Sequence, residues 1–84
     1  MSWRKLFKRL LTHRRNVAFA DVMGIAAAFG FSVSRIKGSH HILKHPGVPE
    51  LVNLQNVNGQ AKPYQIGQLL DLIERYGLTM GGQE

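Results

Sequence analysis

The chain has 84 residues, with eleven Lys and Arg, five Asp and Glu, and no cysteine. This length allows one small domain with a modest core, and the lack of cysteine excludes disulfides and thiolate metal sites. No apolar run approaches the ~20 residues that a transmembrane helix requires, and the basic N-terminus lacks the apolar stretch of a secretion signal. We therefore expect a cytoplasmic protein that does not reside in a membrane.

The positive charge is concentrated at the start of the chain. Six basic residues and no acid precede position 16, whereas five bases and five acids follow it. The net charge of +6 therefore lies in the first fifteen residues. Basic arms of this kind bind nucleic acid or anionic membrane surfaces, or simply keep a protein in solution.

Three segments have the apolar spacing of amphipathic helices. We predict helices over residues 2–12, 19–29 and 63–76, with Ser2 as the first N-cap, Gly30 after the second helix and Pro63 opening the third. Three roles stay open for the first helix. Its apolar side chains pack on the rest of the domain, its basic face contacts nucleic acid, or it lies on a membrane surface.

The region between the second and third helices is rich in strand-forming residues. We predict strands over 31–36, 40–45 and 51–57, with turns at Gly38-Ser39 and Asn58-Gly59 and a loop over 46–49. Alternation is clean over 31–34 and is broken at Arg35-Ile36. The resulting α-β-β-β-α order indicates an α+β fold in which helices cover one face of a three-stranded antiparallel sheet. We expect a single domain over 1–84, with residues 1–16 as a basic helical extension, 19–78 as the core and a frayed tail from Met80.

The tetrapeptide Gly38-Ser39-His40-His41 is the strongest candidate for a functional site. The turn delivers a histidine to the start of a strand, in a basic neighbourhood formed by Arg35, Lys37, Lys44 and Lys62. Histidine ordinarily titrates near neutral pH and can give or take a proton there. Beside cations, it suits cleavage of a phosphodiester by the RNA 2′-hydroxyl, with His40 as the base or the acid and a Lys or Arg holding the phosphate. A hydrogen-bonded surface histidine without function is the alternative.

The histidines do not predict a metal site. His41 and His45 share a strand face but lie about 13 Å apart along it, too far for ligands that must converge on one ion. His40 and His41 point in opposite directions. We therefore expect no metal and no other cofactor.

An ordered set of short motifs resembles the HicA-like toxins of bacterial toxin–antitoxin pairs. The set consists of Phe29-Gly30-Phe31, the stretch 35–43 with its Gly-Ser-His step, His45-Pro46, and Lys62-Pro63 before the last helix. The resemblance covers about residues 19–78. It implies a fold like the double-stranded-RNA-binding domain (dsRBD) and the toxin of a type II toxin–antitoxin system. Such a toxin is a metal-independent endoribonuclease acting on mRNA, silenced by a HicB-like antitoxin.

The resemblance also implies site residues. The catalytic histidine of the Gly-Ser-His step maps onto His40, whereas His41 falls where the family varies. The candidate RNA-binding residues come instead from the turn and its basic neighbourhood, and they are Arg35, Lys37, Gly38, Ser39, Lys44 and Lys62. Two departures stand out. Typical members begin near position 19, so this chain carries eighteen residues more, and Leu43 stands where an aromatic is common.

Two other functions compete with the ribonuclease. The chain could be a non-catalytic RNA-binding module of the same fold, or a partner-binding domain whose interface is the apolar face of the first helix. The sequence leaves open the RNA preference, the oligomeric state and the general acid, for which His41, His45, a lysine and water are all candidates.

Overall fold

The computed structural model describes residues 2–81. Within this range the helices are α1 (Trp3–Leu10), α2 (Phe19–Ala28) and α3 (Pro63–Arg75), and the strands are β1 (Ser32–Lys37), β2 (His40–His45), β3 (Val48–Val57) and β4 (Gln60–Ala61). The predicted α+β class, with an α-β-β-β-α core after an N-terminal helix, is confirmed. The two-residue β4 is an addition to the predicted three strands. The expected fraying of residues 82–84 lies outside the described residues.

The strands form one antiparallel sheet in the order β1-β2-β3-β4. The two predicted turns are present. Gly38 has φ +59°, and Asn58 and Gly59 have φ 53° and 85°. Glycine and asparagine tolerate these left-handed values, which two-residue hairpins require.

The loop predicted over 46–49 is wrong in part, because β3 begins at Val48, three residues before the predicted start. Val48 is buried and pairs with His45, and the Gly47 N–H donates to His45 Nδ1 over 2.9 Å, which tightens the turn. Pro49 has no N–H to donate to a neighbouring strand. It is tolerated because β4 pairs with β3 only at Asn56 and Val57, so β3 has a neighbour on one side only at this end.

The core lies between the helices and one face of the sheet. Leu43, Val52 and Leu54 of the sheet are almost fully buried against helical side chains that include Val22, Ile25, Ile66 and Leu69. Because side chains alternate along a strand, His40, Ile42 and Lys44 of β2 lie on the opposite face. We call this second face, which carries Arg35, Lys37, His40, Ile42 and Asn53, the open face.

Helix α1 packs on the rest of the protein through its apolar side chains. Leu10 is buried, and the Phe7 ring lies 4.9 Å from the Phe29 ring. The Trp3 indole lies so close to Gly24 that any Cβ there would collide with it. The Ser2 hydroxyl accepts from the Lys5 N–H, as predicted for the N-cap, although the helix ends at Leu10 rather than near Thr12. The interpretation of this apolar face as an exposed interface is therefore wrong.

Candidate active site

His40 is held on the open face by an asparagine from the neighbouring strand. The imidazole Nδ1 lies 3.1 Å from Asn53 Oδ1, and Asn53 pairs with Ile42 in the sheet register. An amide oxygen can only accept, so Nδ1 carries a proton, and in the neutral imidazole Nε2 then holds the lone pair. No residue in 2–81 hydrogen-bonds to Nε2. The arrangement therefore fixes the ring and leaves Nε2 as a proton acceptor.

Two of the predicted cations flank this imidazole. Lys37 pairs directly with His40, and Arg35 pairs with Ile42, so both side chains share its face. Both are exposed. At ordinary cross-strand spacing, Cβ atoms of directly paired residues lie roughly 5 Å apart. Either long side chain can therefore reach a phosphate placed beside Nε2.

The other two predicted cations lie farther away. Lys44 shares the face of His40 but pairs with Ser32 at the far end of β2, about 13 Å along the strand. Lys62 precedes α3, on the other side of β3, and its Nζ lies 5.9 Å from the centroid of the Tyr64 ring. The structure thus brings Arg35 and Lys37 to His40, and places Lys44 and Lys62 at the margins.

The start of α3 is tied to the strand beside His40. Gln55 pairs with His40, and its N–H donates to Gln65 Oε1 over 2.7 Å. Gln65 is only 2% exposed. Strand β4 ends at Ala61, so it offers no carbonyl to the Gln55 N–H, and the Gln65 side chain supplies the acceptor instead. Its Nε2 donates to the hydroxyl of Tyr64, whose side chain is 61% exposed. The first turn of α3 therefore lies one strand away from the imidazole.

The turn residues act through their backbone. No atom lies within 4 Å of the position that a Cβ would take at Gly38, so glycine is needed there for its φ of +59° rather than for space. The Ser39 carbonyl accepts from the Asn56 N–H at 2.9 Å and lies 3.3 Å from His41 Nδ1. Both residues thus fix the hairpin that presents His40.

His41 and His45 face the helices, on the other side of the sheet from His40. The His41 ring packs on Phe19, with centroids 4.8 Å apart. His45 Nε2 donates to the Phe29 carbonyl over 3.0 Å, while Nδ1 accepts from Gly47. Both nitrogens of His45 are therefore used to join the end of α2 to β2.

The carboxylate of Glu50 forms a cluster with Tyr76 and Arg75, here called the carboxylate cluster. It lies at the opposite end of β3 from Gln55, the residue that pairs with His40. Glu50 accepts a hydrogen bond of 2.6 Å from the Tyr76 hydroxyl and one of 3.1 Å from Arg75. The Tyr76 hydrogen bond, aided by Arg75, lowers the pKa of Glu50, and the same hydrogen bond raises the pKa of Tyr76. The cluster joins β3 to the end of α3 and takes no part in the open face.

The described residues hold neither a three-ligand metal cluster nor a membrane span. No group of three or more His, Cys, Asp or Glu side chains lies close enough together in residues 2–81 to hold a metal ion. Over the same residues, each helix is too short or too polar to cross a bilayer.

Comparison with known families decides the class of the protein. Residues 19–78, from α2 to just beyond α3, match the family described as HicA toxin of bacterial toxin-antitoxin. The chain belongs to the HicA toxin family. The resemblance seen in the sequence is thereby confirmed, and the matched range contains His40 and Asn53 but not α1. Comparisons with curated proteins and with solved structures gave no significant match.

Sequence reasoning missed Asn53, Gln55 and Gln65. One signal for the first two was available, since they alternate with the apolar residues Val52 and Leu54 and so had to share the polar face of their strand. Which of the two side chains contacts His40 depends on the register between β2 and β3. That register could not be deduced, because the predicted start of β3 was wrong.

Proposed function

We propose that this HicA-family protein is a metal-independent endoribonuclease that cuts mRNA in the cytoplasm, with His40 as the residue that transfers the proton. One observation carries the proposal. An imidazole with its Nδ1 held by Asn53 and its Nε2 unengaged lies beside two exposed cations, Arg35 and Lys37. The family resemblance, which maps the catalytic histidine onto His40, supports the same assignment.

The chemistry is an internal displacement at phosphorus. Nε2 of His40 takes the proton of a ribose 2′-hydroxyl, the 2′-oxygen bonds to the adjacent phosphorus, and the bond to the 5′-oxygen breaks. The leaving oxygen takes a proton from solvent, so the products are a 2′,3′-cyclic phosphate and a 5′-hydroxyl. Lys37 and Arg35 stabilise the negative charge that builds on the phosphate oxygens, and the general base contributes about 10²–10⁴-fold in rate.

We further propose that a HicB-like antitoxin silences the protein by covering the open face. Membership of a toxin–antitoxin family implies such a partner. The open face is the surface that RNA must reach, and among residues 32–44 it carries only positive charge. An acidic segment of the antitoxin laid over Lys37 and Arg35 would exclude RNA.

The decisive test of this chemistry uses two labelled oligonucleotides of one sequence, one with ribose and the other with 2′-deoxyribose throughout. Each is incubated with purified protein, with and without EDTA. We expect the all-ribose strand to be cut to 2′,3′-cyclic phosphate ends and the deoxy strand to stay intact. Cleavage of the deoxy strand would show that water, not the 2′-hydroxyl, is the nucleophile. Loss of cleavage on adding EDTA would show that the protein needs a metal ion.

The runner-up is an RNA-binding module without catalysis, which the basic character of the open face would also suit. It predicts binding that weakens steeply with salt and no cleavage of either strand. In that case replacing Lys37 and Arg35 would matter more than replacing His40.

A further inference from the structure

We propose that the segment around the end of α1, which lies outside the part of the chain that matches the HicA family, forms a second binding site for the RNA backbone. The site, here called the arginine groove, is lined by Arg9, Thr12, His13, Arg14, Arg15 and Pro63 and has a volume of about 390 Å³. The inference rests on the proposed function, because it supposes that the ligand of the open face is RNA. It assigns a role to the concentrated N-terminal charge.

The charge of the groove points to a polyanion. Its lining contains three arginines and a histidine, and no acid is among the described lining residues. Asp21 lines the adjoining depression, together with Arg9 and Arg15, and offsets only part of this charge. Arg9 and Arg15 are exposed, so their guanidinium groups can each bind a phosphate.

The groove is built from a fixed segment. The Arg14 Nε donates to the Leu10 carbonyl over 3.1 Å. Its guanidinium lies over Gly67 of α3, where a Cβ would come within 2.9 Å of Nη1. The Val17 carbonyl accepts from the Ala61 N–H over 3.0 Å, which ties the other end of the segment to β4. Little conformational entropy is therefore lost when a ligand binds between these attachments.

The groove is joined to the proposed catalytic face by the first turn of α3. Pro63, at its rim, is the first residue of α3, and Gln65 in the same turn bonds to the strand that pairs with His40. Tyr64, whose ring is exposed, lies between these two residues in sequence, and the ammonium of Lys62, just before them, lies 5.9 Å from the centroid of that ring. In the proposed complex, an RNA strand that lies across His40 continues over this first turn of α3 into the groove.

A membrane surface fits the same charge less well. An interfacial helix must bury its apolar face in the lipid. In this protein that face of α1 is already buried: Leu10 is 1% exposed, and Trp3 and Phe7 pack on α2. Within α1 the exposed residues are Arg4, Lys5, Lys8 and Arg9, and Leu11 just after the helix is 51% exposed. The accessible side of the helix is therefore mainly basic, which suits phosphates in solution.

The test compares two double variants that remove equal charge from the full-length chain. Arg9→Gln/Arg15→Gln empties the groove of two exposed cations, whereas Lys5→Gln/Lys8→Gln removes two from the exposed side of α1 outside it. Both are made in a His40→Ala background, so that RNA is not consumed. Binding of a labelled 20-nucleotide single-stranded RNA is measured by fluorescence anisotropy over a range of salt, and thermal melting confirms that each variant is folded.

We expect the groove pair to weaken binding roughly tenfold and to reduce the slope of log affinity against log salt by about 1.4, as for the loss of two phosphate contacts. The control pair should change both quantities much less. Equal weakening by the two pairs, or none by the groove pair, would overturn the proposal. So would stronger groove-dependent binding to phosphatidylglycerol vesicles than to RNA.

The same measurements separate this inference from the proposed function. The protein with His40 intact could cut no RNA while the groove pair of substitutions still weakens RNA binding more than the control pair. In that case the proposed ribonuclease activity is wrong and the proposed RNA site in the groove is supported. If RNA is cut in a His40-dependent way and the two pairs bind alike, the ribonuclease stands and the groove is wrong.

Discussion

His40 and His45 stand at the two ends of one strand and serve different purposes. His45 lies on the helix side, and both of its ring nitrogens form hydrogen bonds to the backbone, one to the Phe29 carbonyl and one to the Gly47 N–H. His40 lies on the open face, and within residues 2–81 only its Nδ1 forms a hydrogen bond, to the side chain of Asn53. Both residues are histidines on the same strand, so the feature that distinguishes His40 as a candidate for proton transfer is its unengaged ring nitrogen, not its residue type or its distance from a glycine. Substitutions at these two histidines and around them test this difference.

The largest effect is expected from exchanging each histidine for alanine. His40→Ala should abolish growth arrest on expression while the melting temperature of the purified protein stays near that of the wild type. His45→Ala should do the opposite. It removes the partner of the carbonyl of buried Phe29, which costs roughly 1–3 kcal/mol of stability, and leaves the exposed Gly47 N–H to solvent. Arrest persists wherever folded protein accumulates. Full arrest by His40→Ala would break the comparison.

A smaller effect is expected at the residue that orients His40. Asn53→Leu keeps the approximate size of the side chain but cannot accept from Nδ1, so the ring loses its fixed tautomer and orientation. We expect kcat for RNA cleavage to fall about tenfold or more with little change in KM, because the amide orients the imidazole whereas the nearby cations bind the phosphate. Asn56→Leu serves as a control on the same strand, with its side chain bonded instead to the Gly59 N–H. An equal loss of kcat in both variants would assign Asn53 a merely structural role.

Alanine substitutions at two glycines, Gly30 and Gly38, show how tightly His45 is packed. Gly30 has φ +97°, and a Cβ there would lie 2.9 Å from His45 Nε2, whereas Gly38 has φ +59° and open space. Gly38→Ala should therefore lose about 1–2 kcal/mol from backbone strain alone. Gly30→Ala should lose more, because the imidazole must also move. Chemical denaturation of both variants gives the difference, and equal losses would show that the contact with His45 contributes nothing.

The smallest effect is expected in the carboxylate cluster, at the end of the sheet where His45 lies. The pKa of Glu50 is lowered from its ordinary value of 4.5, chiefly by the Tyr76 hydroxyl. A lowered folded-state pKa stabilises the protein above the ordinary value, and this contribution is lost as the pH falls through the lowered pKa. Tyr76→Phe should therefore be less stable than the wild type at pH 7, with a difference that shrinks as the pH is taken below 4.5. A difference that is independent of pH would contradict this.

Much of the fold could be predicted because its signals are local. Gly30 after α2, Pro63 at the start of α3 and the two hairpin turns each follow from the conformational limits of one or two residues. The start of β3 and the existence of β4 could not, because they depend on pairing between distant residues. Pro49 lies at an unpaired edge, and Gln65 takes the place of a strand partner.

The candidate site divides in the same way. His40 and its neighbours Gly38 and Ser39 could be identified from a contiguous motif and from the family resemblance. Asn53 could not be assigned to His40, since its place depends on the register of β2 and β3, and Lys44 and Lys62 were grouped with His40 by their nearness in sequence alone. The length of β2 now separates Lys44 from His40, and the strand order separates Lys62 from it.

The central claim is that the Nε2 atom of His40 transfers the proton when RNA is cut. It is tested most directly by initial cleavage rates of purified wild-type and His40→Ala protein on one labelled RNA, at neutral pH with EDTA, after matching melting curves show that both are folded. The account predicts a fall of at least about a hundredfold in the variant. A variant that cuts as fast as the wild type would contradict it.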